Sequence, residues 1–361
     1  MSATEDFWDA LEFGDKSALQ EMHLRARNLN QVSRIRTASL YKKHKGCFID
    51  GAGLEPAAIL PVLKFVEPRS DLAELFQVAR WTWSIPYSAG YGRRLRFVVW
   101  DDHHHAVIGI IGLQSPPLDL PARDEMFDYQ PGTKLDLVNR TMDAYTIGAV
   151  PPYSYLLGGK LVAGLVASNE VQQAYWREYA GRKTLMRGKR IEQPLVAVTT
   201  LSAFGRSSIY NRLRYGDRLL AEPIGFTKGS GTIHLEPLYM HVLDLLRTYD
   251  PELVLGGYGQ GPKQKWQLFK RALDILKIPR YYFEHGVKRE VYLFRLVAQL
   301  GQGMAGGDFG PGLGFEAGDY GQYWANRWAL PRASRDKRWR SFLSEEYFLK
   351  SLPLQERPAP K

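Results

Sequence analysis

Cysteine is almost missing from this chain. Cys47 stands alone among 361 residues, which excludes an internal disulfide framework and any multi-thiolate metal site. Long apolar runs are missing as well. The longest, residues 156–167, is interrupted by Gly158, Gly159, Lys160 and Gly164 and falls short of the roughly 20 apolar residues that a membrane helix needs. The opening MSATEDFWDALEFGDK is acidic and has no apolar stretch of leader length, so the chain reads as cytoplasmic with no membrane partner. Acids are outnumbered, 38 against 48 Lys and Arg, for a net charge of +10. Hydrophobic content of 45% and aromatic content of 12% describe an ordinary globular protein with room for more than one domain.

The positive charge is concentrated. Residues 21–45 carry seven Lys or Arg against one acid, and residues 177–190 and 327–340 each carry six against one, leaving the rest of the chain at −6. Dense basic surface attracts polyanions, and three such patches point to a nucleic-acid partner, DNA ahead of RNA. The candidate contacts are Arg25, Arg27, Arg34 and Arg36; Arg182, Lys183, Arg187, Lys189 and Arg190; and Arg327, Arg332, Arg335 and Arg338. Tyr323, Trp324, Trp328 and Trp339 are interleaved with the last group. Aromatics between cations suit single-strand binding, with Trp324 and Trp328 as stacking rings; the same spacing also suits a C-terminal helix cemented to a core.

Along the chain, residues 1–60 read as a basic helical extension, 61–300 as an α/β core ending in late helices and a hairpin, and 301–361 as a glycine-rich linker with a basic aromatic tail. Within the core, a short strand at 63–66 precedes a helix capped by Ser70 or Asp71. Two strand-like runs, 95–100 and 106–113, flank a polar turn. A helix near 136–142 leads to a strand, a glycine-bearing bend and a long apolar helix over 143–168. Residues 195–200 read as a strand buried on both faces. SSIYNRL reads as a short helix, RYGDRLLAEPIGF as a turn and strand, 232–235 as another strand, 239–248 and 263–277 as amphipathic helices, and 281–297 as a hairpin around His285-Gly286.

The hairpin, the strand ending at Val150, the turn and apolar helix after it, and the later strand followed by SSIYNRL and RYGDR resemble the GNAT acyltransferase core. That resemblance implies a mixed, mostly antiparallel central sheet flanked by helices, with helical N-terminal and C-terminal extensions. It implies that Tyr155, Gly158, Gly159 and Lys160 would hold the pyrophosphate of acyl-CoA, and that Tyr210 would act as general acid. The loop departs from the GNAT pattern at Tyr155 and Lys160, and a side chain at 160 crowds the backbone approach. No cofactor follows from the residues alone.

Three segments, IGIIGLQSPPLDLPARDEMFDY, DAYTIGAVPPYSYLLGGKLVAGLVASNEV and YWANRWALPRA, closely resemble the DruA component of Druantia anti-phage systems, over about residues 65–332. The resemblance implies a role in prokaryotic defence beside helicase-type proteins, and supplies no reaction. Three functions stay open: a nucleic-acid-engaging component, an active acyltransferase, and a scaffold for a helicase-type partner.

Other chemistry is weakly marked. His103, His104 and His105 sit in the polar turn, where adjacent side chains diverge, and His234, Glu236 and His241 lack ligand spacing, so no metal is expected. Ser202, Ser207 and Ser208 lack a nucleophile elbow, and Ser207 reads as an N-cap. Asp124, Glu125, Asp128 and Asp143 admit divalent-metal nuclease work, or plain helix-start electrostatics and solubility.

Overall fold

A computed structural model describes residues 17, 20, 21, 23, 24, 31–85, 92–184, 188–228, 238–255, 262–279 and 288–352. The strand expected at 232–235 and the first arm of the hairpin at 281–283 lie outside them, as do Arg25, Arg27 and Arg187. The chain divides into two compact units, one of residues 1–34, 83–87 and 228–289, the other of 35–82, 88–227 and 290–361.

The larger unit is built on a seven-stranded sheet. In chain order its elements are α1 (Gln31–His44, from residue 35 onward), β1 (Pro61–Phe65), α2 (Asp71–Arg80), β2 (Arg94–Asp101), β3 (Ala106–Gln114), β4 (Thr141–Ala149), α3 (Gly158–Gly164), α4 (Asn169–Tyr179) and β5 (Ala197–Leu201). A small ribbon, β6 (Arg214–Tyr215) with β7 (Arg218–Leu219), precedes β8 (Glu222–Phe226) and β9 (Glu290–Arg295). The order is β1-β2-β3-β4-β5-β9-β8. Every neighbouring pair is antiparallel except β4 with β5. The mixed, mostly antiparallel sheet flanked by helices is the class expected from the sequence.

Strand β3, AVIGIIGLQ, is buried at eight of nine positions, because both faces of a central strand are covered and continuous apolar character replaces alternation. Helix α2 starts where expected, with the Ser70 hydroxyl accepting from the Ala73 amide at 3.2 Å, an N-cap that satisfies one orphan donor.

The β4–β5 pairing is short. It runs from Thr141↔Ala197 to Ala144↔Thr200 and stops there, although β4 continues to Ala149. The cause lies one residue on. Leu113 pairs with Ala144 and Gly112 with Thr146, so Tyr145 is an extra residue, a bulge that bends β4 and re-aims it. Its ring lies on Gly112, where an added Cβ would come within 2.5 Å of Tyr145 Cζ.

After β4 the chain crosses a cis Pro151-Pro152 bond and a 3-10 turn, Tyr153–Leu156, before Leu157 takes a left-handed conformation (φ 59°) and opens α3. The C-terminal region then covers α3. Where a glycine-rich linker is expected, the chain forms a helix over Leu300–Gly306 and then α5 (Ala317–Trp324), a π-helical turn Ala325–Ala329, and α6 (Leu330–Arg335). The wide turn answers Pro331, which lacks an N–H and whose ring excludes the carbonyl four residues back. SSIYNRL is also not a helix: residues 208–212 are turn, Arg212 has φ 54°, and the Ser207 hydroxyl accepts from the Ile209 amide at 3.3 Å.

In the smaller unit the expected amphipathic helices form over Tyr239–Tyr249 and Pro262–Ile275, packed around Leu246, Leu268 and Ala272. Among the described residues no helix is long and apolar enough to cross a membrane.

Helices α3 and α5 approach each other closely. The Tyr320 ring occupies the space that a Cβ at Gly164 would need, and both residues are buried. Gly164→Ala is expected to destabilise the protein by about 1–3 kcal/mol through overpacking, read as a lower urea midpoint. An unshifted midpoint would mean that Tyr320 does not lie on α3.

Candidate functional site

Three constellations deserve comparison: the split between β4 and β5, the histidine turn, and the basic patches. At the split, Tyr210 is buried against Tyr292 and Phe294, with ring centroids 4.8 and 6.3 Å away. Its phenol bonds the Thr200 side chain, and burial pushes its pKa up to about 12. Tyr292 is likewise raised to about 12 by burial and by its bond to Glu290. The Tyr292 hydroxyl accepts from the Ser207 amide at 3.3 Å. Ser202 accepts from the Glu290 amide at 3.0 Å and bonds the Gly205 carbonyl. Two protonated phenols and a buried carboxylate thus line one face of the split. Asp143, on the other face, accepts from Thr199 at 3.0 Å and Gln114 at 3.2 Å. Glu290 and Tyr292 escape a sequence reading, because nothing local marks a strand residue whose partners in Ser202, Ser207 and Tyr210 lie on a distant stretch of the chain.

The bend before α3 brings Tyr155, Gly158, Gly159 and Lys160 together, and the surrounding chain engages them closely. The Lys160 ammonium donates to the carbonyls of Ser208, Ile209 and Asn211 at 3.2, 3.3 and 2.7 Å and stands 5.6 Å from the Trp328 ring centroid. Burial lowers its pKa, and Arg327 adds to the effect. A Cβ on Gly159 would come within 3.3 Å of Ile209, and one on Gly158 within 2.7 Å of the Tyr153 carbonyl. Side chains from the C-terminal helices donate to three further carbonyls: Arg332 to Tyr155 at 3.4 Å, Trp324 to Leu157 at 3.1 Å and Tyr320 to Lys160 at 3.1 Å.

The histidine turn is a structural network. Asp101, fully buried, accepts through Oδ2 from Tyr153 at 2.8 Å and from His104 Nδ1 at 2.6 Å. Through Oδ1 it accepts the amides of Leu60, His103 and His104. His104 Nε2 in turn accepts the Glu55 amide at 3.0 Å, which places the ring proton on Nδ1. A carboxylate so surrounded ties the β2–β3 turn to both the chain before β1 and the chain after β4. The His104 side chain is 6% exposed, while Asp102, His103 and His105 stay exposed, as the sequence suggested for a solvated turn. His44, Asp71 and Glu74 bring ligand atoms within 4.8 Å of one another, but the Lys43 ammonium already sits 3.0 and 2.7 Å from the two carboxylates.

The basic patches differ in how far their charge is used internally. In the C-terminal patch, Asp336 takes both Arg332 at 2.7 Å and Arg338 at 2.6 Å, and these arginines, Arg338 first, hold its carboxyl far below the usual range. Arg335 donates to the Pro331 carbonyl, and Arg327 lies over Tyr323 and Trp328. Trp324 is wholly buried and cannot offer a face to a base; Trp328 is half-buried. On α1, Arg36 is exposed and Arg34 half-buried. Residues 181–184 and 188–191 pair as the two antiparallel arms of a basic hairpin, with the Gly181 amide on the Ile191 carbonyl at 2.8 Å and the Thr184 amide on the Lys189 carbonyl at 2.8 Å. Arg182, Lys183, Lys189 and Arg190 are exposed along it. Lys189 pairs with Asp136 at 2.6 Å, whereas Arg182 reaches Glu178 only at 3.7 Å.

The architecture is that of an α/β protein with a bulged, partly split sheet, a clamped bend and a pair of basic hairpin arms. The chain belongs to the family described as Druantia protein DruA, whose profile it matches over residues 14–306. It is 33% identical to the Druantia protein DruA of Escherichia coli (strain UMEA 4076-1) over 318 residues, 87% of this chain and 78% of that protein. No solved structure matches it.

Tyr210 is the sequence-selected residue whose environment is most distinctive. A phenol with a folded pKa of about 12 against an ordinary 10.0 keeps its proton longer in the folded protein. The stability this contributes is complete below pH 10 and is lost as the pH rises through about 12. Denaturant midpoints measured across that window should fall less steeply for Tyr210→Phe than for the unmodified protein. Parallel curves would place the phenol in solvent.

Proposed function

We propose that this chain serves in Druantia anti-phage defence as a component that engages nucleic acid, DNA ahead of RNA, and that the paired hairpin arms 181–184 and 188–191 are its principal contact. Membership of the DruA family supports the setting. The observation that carries the contact is the exposed row of Arg182, Lys183 and Arg190, of which Arg182 is paired with Glu178 at 3.7 Å. Cations left in water beside a polyanion release counterions when they bind it, so they contribute affinity in a salt-dependent way. The C-terminal cations are a weaker second surface, since Asp336 and nearby rings and carbonyls already engage Arg327, Arg332, Arg335 and Arg338.

An acyltransferase reading has one observation in its favour. The single parallel strand pair parts beside a bend and a buried, protonated tyrosine, an arrangement that suits an acyl-CoA site with Tyr210 as acid. The engagement of Lys160 by three carbonyls weighs against it. Calorimetry with acetyl-CoA at millimolar concentration should give no saturable heat if the nucleic-acid reading stands alone.

The hairpin reading is tested by fluorescence anisotropy with single-stranded and double-stranded DNA of equal length at several salt concentrations. The triple variant Arg182→Ala, Lys183→Ala, Arg190→Ala should lower affinity by about tenfold or more and reduce the slope of log affinity against log salt by about 2 to 3 on duplex. Equal affinity and slope in the triple variant would remove the hairpin from the interface.

A further inference from the structure

Beneath the basic hairpin lies a half-open cavity of about 220 Å³. That is smaller than the roughly 300 Å³ at which pockets for drug-sized ligands begin, so it admits one small group. Its walls come from three directions: Asp136, Asn139 and Arg140 before β4, Tyr175 on α4, and residues 184 and 189–193 of the hairpin and its exit.

The chemistry of this lining differs from that of the hairpin's outer edge. Asn139 and Gln193 offer amides, each with donors and an acceptor. Glu192 offers a carboxylate, and the second carboxylate, Asp136, is neutralised by Lys189 at 2.6 Å. Arg140 has a buried guanidinium nitrogen, Nη1, without a hydrogen-bond partner, and the buried Thr184 hydroxyl also lacks one. Unsatisfied buried donors are uncommon in folded proteins and call for a partner. The lining is mixed in charge, with Glu192 and Asp136 set against Arg140, Lys189 and Arg190, so it is not a dedicated phosphate cradle. A nucleobase edge, by contrast, presents mixed donors and acceptors that amides, carboxylates and guanidinium groups can pair with. Cations that suit phosphates lie just outside, on Arg182 and Lys183, while Arg190 belongs to both the hairpin and the cavity wall.

We propose that this cavity takes a single unstacked nucleobase of a bound strand, with the flanking phosphates on Arg182, Lys183 and Arg190. The inference rests on the nucleic-acid reading above and deepens it. A hairpin of cations beside a base-sized recess separates the two tasks of strand recognition, phosphates to position and base edges to specify. Bases available for such insertion are those of single strands, loops or extruded positions.

The test uses the full chain and a short single strand carrying one 2-aminopurine, whose emission is quenched by stacking and rises when the base is unstacked. Binding is expected to raise emission at one position in the strand. Thr184→Phe, which fills the cavity from the hairpin, should abolish the rise and weaken anisotropy-measured affinity about five- to tenfold, with the salt slope unchanged. Gln193→Ala, at an exposed position outside the core, should reproduce part of both losses and guards against misfolding of the filled variant. Strand binding by anisotropy with flat 2-aminopurine emission and full affinity in Thr184→Phe would overturn the cavity while leaving the nucleic-acid reading intact. If no strand binds at all, that reading fails instead. Saturation-transfer NMR with free deoxynucleoside monophosphates then separates the sources: a signal lost in Thr184→Phe would assign the cavity to free nucleotides in place of a strand, and no signal would overturn it altogether.

Discussion

The larger unit depends on one clamp. Tyr320, Trp324 and Arg332, all from the C-terminal helices, donate to the carbonyls of Lys160, Leu157 and Tyr155 around the bend that follows β4. The bend needs such partners because Leu157 leaves helical geometry with φ 59°, and carbonyls at a break in helical structure must otherwise find water. Each bond contributes only about 1 kcal/mol net, but burial adds to them. Trp324 and Tyr320 are completely buried in the same cluster as Leu161, Val162 and Leu165. The C-terminal helices are thus part of the core, and the bend is held from the far end of the chain.

The Asp101 network does for the opposite side what the clamp does for the bend. One carboxylate accepts from Tyr153, His104 and three backbone amides, so the turn between β2 and β3, the chain before β1 and the 3-10 turn after β4 are fixed to one point. A fully buried charge survives only when it is surrounded in this way.

Charge tells a different story from its count along the chain. The basic segments at 177–190 and 327–340 carry the same net charge, yet the second spends its arginines on Asp336, on aromatic rings and on carbonyls. In the first segment Arg182, Lys183 and Arg190 are exposed and Lys189 pairs with Asp136, and in the second Arg327, Arg335 and Arg338 stay exposed as well. Equal net charge along the chain therefore does not mean equal charge offered to a partner, because neighbouring acids, rings and carbonyls take up part of it.

Much of this was legible in the chain itself. The continuous apolar character of β3 and the alternation and turn chemistry around residues 101–106 determined a central hairpin; Ser70 determined the start of α2; the pattern after Thr141 determined a strand, a bend and a helix. These are local consequences of backbone geometry and burial, and they read through a window of a few residues. The sequence also determined that basic charge is clustered, and three segments determined the family resemblance. What it left open depended on partners distant along the chain. Glycines near 301–321 looked like a linker because glycine is permissive in isolation, but Gly303 and Gly321 lie close to Phe309 and Pro61. Trp324 looked available to a base until its indole met the Leu157 carbonyl 167 positions away. Lys160 looked free until three carbonyls from another segment surrounded it. Tertiary structure decided these points, because whether a polar or aromatic group is available to a ligand depends on which groups the fold has already brought within hydrogen-bond reach.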